Sequence, residues 1–156
     1  MSDLPAAVAA FLAGKRIAVA GVSRETRGHV GNAIFNKLRK AGYDAFAVNP
    51  NAAEIEGVKC YPAIGAIPGE IDGVIIATPP NVAACIVRQC AEKGVKQVWF
   101  HRAIGQGSVS DEALSVAADA GIAAIASGCP MMYVAPVDGA HRFFCTLLTL
   151  LGRLPK

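Results

Sequence analysis

Short apolar runs at 17–20, 45–48, 73–78 and 122–126, with a mixed stretch at 95–100 that ends Val98-Trp99-Phe100, recur along the sequence, most of them divided by amphipathic stretches of helical period. An unbroken apolar run suits a strand buried on both faces, because alternation of apolar and polar residues is needed only where one face meets water. Strands divided by helices of about 10–15 residues predict a parallel sheet with right-handed crossovers. The fold class expected is therefore α/β, a doubly wound and mostly parallel sheet with helices on both faces.

The punctuation agrees with that pattern. Leu4, Val8, Phe11 and Leu12 recur at helical spacing ahead of Gly14, giving a short first helix. After the run 17–20, a loop from Gly21 to Gly28 leads into a helix over 29–41, with Val30, Ala33, Ile34 and Leu38 on one face, Lys37, Arg39 and Lys40 on the other, and Gly42 closing it. Strand, glycine loop and helix make the first half of a βαβ unit, which is Rossmann-like. Asn49-Pro50 stops the second strand, Pro62 stops a shorter extended piece at 58–61, and Pro79-Pro80 stops the strand at 73–78. Pro80 suits the first turn of a helix whose inner stripe is Val82, Ile86 and Cys90. Ser108 or Ser110 with Asp111 and Glu112 marks another helix start, and the last strand leads into Gly128-Cys129-Pro130. A C-terminal helix over 138–152 carries Phe144, Leu147, Leu148 and Leu151 on one face, expected to pack on its own sheet or, alternatively, to form a subunit contact. The units expected are an N-terminal helix at 1–14, the Rossmann-like domain at 15–135 and a helical extension at 136–156 packed on the same domain.

With 156 residues and 53% hydrophobic composition, the chain has a core for one domain and is too short for two of ordinary size. A formal charge of +3 is too small to imply wholesale nucleic-acid binding, and none is expected, yet residues 15–40 hold seven Lys/Arg against one acid while 41–156 hold eight against ten, so the positive field is local. Five cysteines (60, 85, 90, 129, 145) form no CxxC pair, and three histidines have no ligand spacing; neither a disulfide framework nor a metal site is expected. No basic residue precedes Lys15, the wrong order for a secretory signal, and no apolar stretch approaches the ~20 residues of a membrane span. A soluble protein of the reducing cytoplasm is expected, with no membrane partner.

In open parallel sheets ligands bind beyond the carboxyl ends of the strands, which directs attention to the loop Gly21-Val22-Ser23-Arg24-Glu25-Thr26-Arg27-Gly28-His29-Val30-Gly31. Its glycines let backbone approach a phosphate, the following helix start offers free N–H groups, and Ser23, Arg24 and Arg27 add donors, so an anion is expected there. A dinucleotide fingerprint would read GxGxxG, with an acid after the second strand to hold ribose hydroxyls. Neither is present: the second strand ends Ala47-Val48-Asn49-Pro50. This argues against NAD(P), and a ligand phosphorylated on its ribose is repelled less. Coenzyme A (CoA) carries such a phosphate.

The segments Ile17-Ala18-Val19-Ala20-Gly21-Val22-Ser23, Val48-Asn49-Pro50-Asn51, Ile75-Ile76-Ala77-Thr78-Pro79-Pro80, Val98-Trp99-Phe100-His101 and Ser127-Gly128-Cys129-Pro130 together resemble the CoA-binding domain family, the small stand-alone bacterial proteins in particular, over roughly residues 10–135. The same domain resembles the N-terminal half of the α subunit of succinyl-CoA synthetase. The resemblance implies a cofactor-binding set. Gly21, Val22, Ser23, Arg24, Arg27 and Gly28 would face the pyrophosphate; Val48, Asn49 and Pro50 would flank the adenosine. Thr78, Pro79 and Pro80 would support the adenine and pantetheine arm, and Gly128, Cys129 and Pro130 would line the thiol end. Two departures stand out: the first loop is longer than in the synthetase subunits, and Asn51-Ala52 replaces a lysine that often follows the second strand. The implied function is non-catalytic binding of CoA or an acyl-CoA, with a possible homo-oligomer through the C-terminal helix. The alternatives are a ligase-like subunit needing a partner and an NAD(P)-binding protein. A thiol–imidazole pair of Cys129 and His101 lacks an evident third group, and Trp99 and Phe100 read as core rather than as a stacking platform.

Overall fold

The apolar runs become strands in the computed structural model, which describes residues 4–25 and 28–154. In chain order the elements are α1 (Ala6–Leu12), β1 (Arg16–Ala20), α2 (Val30–Lys40), β2 (Asp44–Val48), β3 (Glu54–Ile55), β4 (Val58–Tyr61), β5 (Gly73–Ile76), α3 (Pro80–Lys93), β6 (Gln97–Phe100), α4 (Asp111–Asp119), β7 (Ala123–Ile125) and α5 (Gly139–Leu150), with single 3-10 turns at Ile64–Ala66 and Pro130–Met132. The strands form one sheet in the order β3-β4-β2-β1-β5-β6-β7. All neighbours run parallel except β3, which pairs antiparallel with β4 across a turn at Glu56 and Gly57, both at positive φ (49° and 77°). This is the Rossmann-like α/β architecture that the alternation predicts; the β3 hairpin is an addition to it.

Burial on both faces explains the unbroken apolar strands. Ile17 and Val19 of β1, Ile75 of β5 and Trp99 of β6 face one side, where they pack with Phe11 of α1 and Ile34, Phe35 and Leu38 of α2. Ala18, Ala20, Val74, Ile76, Val98 and Phe100 face the other side, against Ala83, Val87 and Cys90 of α3 and Ala113 and Ala117 of α4. Small residues at 18 and 20 let the helices of that layer approach closely.

The C-terminal helix departs from the expectation that it packs on its own sheet. It rests on the Pro130–Met132 turn, where Leu148 is buried and Cys145 packs beside it. Phe143, Phe144, Leu147, Leu150 and Leu151 remain exposed. The apolar stripe is therefore real but largely unburied, and Leu4 of the first helical segment is exposed as well. No helix among the described residues is long and apolar enough to cross a membrane.

Candidate functional site

Register brings three strand ends level. Ala20 pairs with Val48 of β2 on one side and with Ile76 of β5 on the other, so Gly21, Asn49 and Ala77 leave the sheet side by side. β1 and β5 are neighbours in space although β2, β3 and β4 lie between them in sequence. Chain order reverses there, which opens the crevice where α/β sheets place their ligands.

Backbone contact at this crevice is unusually close. Gly21 has φ +101°, and a Cβ on it would lie 2.6 Å from the carbonyl carbon and oxygen of Ala77. A Cβ on Gly31, in the first turn of α2, would lie 2.3 Å from the Gly21 oxygen. Two glycines thus let the start of α2 rest directly on the exit of β1. The loop is then braced by two amide side chains. Asn32 is 2% exposed; its Oδ1 accepts from the Ser23 N–H at 2.7 Å and its Nδ2 donates to the Ser23 carbonyl at 2.8 Å. Asn49 donates from Nδ2 to the Val22 carbonyl at 2.8 Å and accepts the Asn51 N–H on Oδ1 at 2.8 Å. Both polar groups of the Ser23 peptide backbone are consequently occupied within the protein, and its hydroxyl accepts from the Glu25 N–H at 3.1 Å.

The donors left for a ligand lie at the helix start. Among the four longer helices, α4 and α5 are capped by Ser110 and Asp138, whose side chains accept from Ala113 N–H and His141 N–H. The N-caps of α2 and α3, His29 and Pro79, make no such bond. An uncapped N-terminus presents bare N–H groups and the positive end of the helix dipole. The two termini are not equivalent, since Pro79 and Pro80 remove two donors from the start of α3. There the polar group is Thr78, whose Oγ1 is buried without a hydrogen-bond partner among the described residues. Among the described residues, the start of α2 therefore offers more N–H donors than that of α3. Arg24 is exposed beside the α2 start, Gly28 (φ +80°) has open space around it, and Arg27 lies outside the described residues. Val22 and Val48 are buried, while Pro50 and Pro79 are exposed on the rim.

Gly128, Cys129 and Pro130 occupy a second stretch of the same edge, beyond β7, and all three are buried. Gly128, at φ +80°, accepts the Arg102 N–H at 3.0 Å. Burial pushes the Cys129 thiol up to about 11 and holds the His101 imidazole below its ordinary value. Both groups are neutral near pH 7, so the two do not form a thiolate–imidazolium pair. Trp99 is fully buried and donates its Nε1–H to the Ser127 carbonyl at 3.1 Å, which makes it core.

One residue of the site escapes sequence reasoning: Asn32, whose place one turn into a helix gives no sign of its burial. Gly31 does not, since it closes the glycine loop after the first strand, where a helix that touches that strand needs a small residue.

Comparison with known proteins finds relatives over most of this fold. A stretch of acetate–CoA ligase (ADP-forming) II from Archaeoglobus fulgidus is 43% identical over 84 residues, covering 53% of this chain and 12% of the ligase. The α subunit of acetate–CoA ligase (ADP-forming) II from Pyrococcus furiosus is 35% identical over 103 residues, covering 65% of this chain and 22% of the subunit. The chain thus spans less than a quarter of the length of either relative. A solved structure of a hypothetical protein from Pyrococcus horikoshii superposes with a TM-score of 0.71 at 29% identity, covering 83% of this chain and 92% of that one. A family model for a CoA binding domain matches residues 15–135, and the chain belongs to that family.

Proposed function

We propose that this protein binds coenzyme A or an acyl-CoA without catalysing a reaction on its own, and that it does so in the cytoplasm. The carrying observation is the uncapped N-terminus of α2, resting on Gly21 through Gly31 and locked by Asn32. The diphosphate accepts from the free N–H groups of that turn, and Arg24 neutralises its charge from the rim. Asn49 acts as a brace for the loop, so that adenosine lies on the backbone of Val48, Asn49 and Pro50 rather than on the Asn49 amide. Thr78 supplies the hydroxyl of the opposite wall, and its unpartnered Oγ1 supports that role.

Calorimetric titration with CoA, dephospho-CoA, NAD and NADP tests the reading. CoA is expected to bind most tightly, and Arg24→Ala to weaken it by ~1.5–3 kcal/mol through loss of a charge-assisted bond. Binding of NAD or NADP alone, or no loss of affinity in Arg24→Ala, refutes it.

A second reading is a subunit that works with a partner. Its support is the α-subunit relative together with the exposed Phe143, Leu147, Leu150 and Leu151 of α5, an apolar row that monomers seldom leave in water. A second copy of the chain is the alternative occupant. Light scattering on the purified protein separates them: a homodimer that Leu150→Glu dissociates favours self-association, and a monomer favours a different subunit.

A further inference from the structure

Beside the crevice, on the α2 face of the sheet, lies an apolar recess of about 290 Å³. It begins at Val30 and Ala33, on the first turns of α2, and ends at Phe144 and Leu148 of α5, with Ile104 and Met132 closing its sides. Cys129, His101 and His141 also line it, and no Lys, Arg, Asp or Glu does among the described residues. Val30 is the first residue of the helix whose N-terminus is the anion cradle, so the recess and the cradle share one wall.

We propose that this recess receives the acyl group of a bound thioester and selects small uncharged acyl chains, aliphatic or aromatic. The inference rests on the CoA reading and names the substrate class of the same site. Three observations carry it. Continuity comes first: one ligand reaches both places only if it joins a polyanion to an apolar end, as an acyl-CoA does. The lining is the second. A carboxylate at the acyl terminus finds no Lys or Arg there, burial keeps the His101 imidazole neutral, and the Asp138 carboxylate, 2.6 Å from His141 Nδ1, repels it; burying an unpaired charge is costly. Size is the third. At about 30 Å³ for a water-sized group, the recess has room for on the order of nine non-hydrogen atoms, enough for butyryl or benzoyl and too few for a long fatty chain.

Titration of the whole protein with CoA, acetyl-CoA, butyryl-CoA, benzoyl-CoA and succinyl-CoA tests the proposal, repeated on Ala33→Phe. Ala33, expected on the apolar face of α2, is exposed in the structure and lines the recess, so a larger side chain there should fill it. Butyryl-CoA is expected to bind about tenfold more tightly than acetyl-CoA, the gain from burying two further methylenes. Succinyl-CoA should bind no better than CoA. In Ala33→Phe the butyryl preference should vanish while CoA affinity stays. Should that variant fail to fold, Ile104→Asp, at a highly exposed position, places a carboxylate on the rim and should reduce butyryl-CoA and benzoyl-CoA to the affinity of CoA. Equal affinity for CoA and all its thioesters, or a preference for succinyl-CoA, overturns the acyl site and leaves the CoA reading standing. Absence of CoA binding overturns both.

Discussion

Substituting Gly31 by alanine sets two physical effects against each other. Inside a helix the change gains up to about 1 kcal/mol from propensity. The new Cβ, however, would sit 2.3 Å from the Gly21 oxygen and 2.7 Å from its carbonyl carbon. Even close carbon–oxygen contacts are ~3.3 Å, so helix and loop must separate by about 1 Å. α2 has little freedom to retreat, because Ile34, Phe35 and Leu38 are fully buried against the sheet, and displacing packed side chains costs ~1–3 kcal/mol. The same shift stretches both bonds of the Asn32 clasp, adding ~1–3 kcal/mol. The net expectation is a loss of about 3 kcal/mol, lowering Tm by ~6–12 °C in a domain of this size. Gly139→Ala is the control: its Cβ meets nothing within 4 Å, and it should stabilise by ~0.4–1 kcal/mol. Scanning calorimetry on both variants decides the matter. A Gly31→Ala protein as stable as the parent would mean that α2 does not rest on the β1 exit, and the preorganised loop would go with it.

Asn32→Asp keeps an acceptor for the Ser23 N–H but loses the donor to its carbonyl and adds a negative charge at the cradle. Titration should show CoA affinity falling more than stability does; undiminished affinity would place the anion elsewhere. The Asp72 carboxylate is held below its ordinary value by the Arg16 and Lys15 backbone N–H groups, at 2.9 and 2.8 Å. A depressed folded-state value contributes stability above the unfolded value of ~3.9 that disappears as pH falls through the folded one. Urea midpoints measured from neutral pH into acid should therefore fall, with a shallower fall in Asp72→Asn. Alkylation at pH 8 followed by peptide mass mapping should mark exposed Cys85 first, and leave Cys129 and Cys90, with thiols pushed up to about 11 and about 12, until last. Labelling of Cys129 at the rate of Cys85 would contradict its burial.

The strands at 17–20 and 73–76 were legible because a parallel strand buried on both sides has no polar residue to confuse it. For the same reason, the sequence of 17–20 does not say which of Ile17 or Ala18 faces α2; that choice belongs to the crossover geometry. β3 was missed because it is two residues long and turns on Glu56-Gly57, where a non-glycine residue at positive φ hides the usual Asn-Gly signature. At the site, Gly21 was legible from its position after the first strand, whereas Asn49 and Thr78 entered only through the family resemblance. Asn32 was not legible, because its burial depends on a partner nine residues earlier that only the folded loop brings back.

Capping tells most about what the fold is arranged to do. Ser110 and Asp138 were both in the sequence ahead of helices, and both cap them. A capping side chain contributes about 1 kcal/mol, so His29 ahead of α2 gives up stability that serine or aspartate would supply. Aspartate there would also oppose any anion. The polar side chain that could have capped α2 is instead spent one turn further on: Asn32 turns back to hold Ser23, which fixes the loop's shape while leaving the helix N–H groups bare. Stability moved from the helix end to the loop is what a preorganised anion site requires, because donors that already point outward need no rearrangement when the ligand arrives.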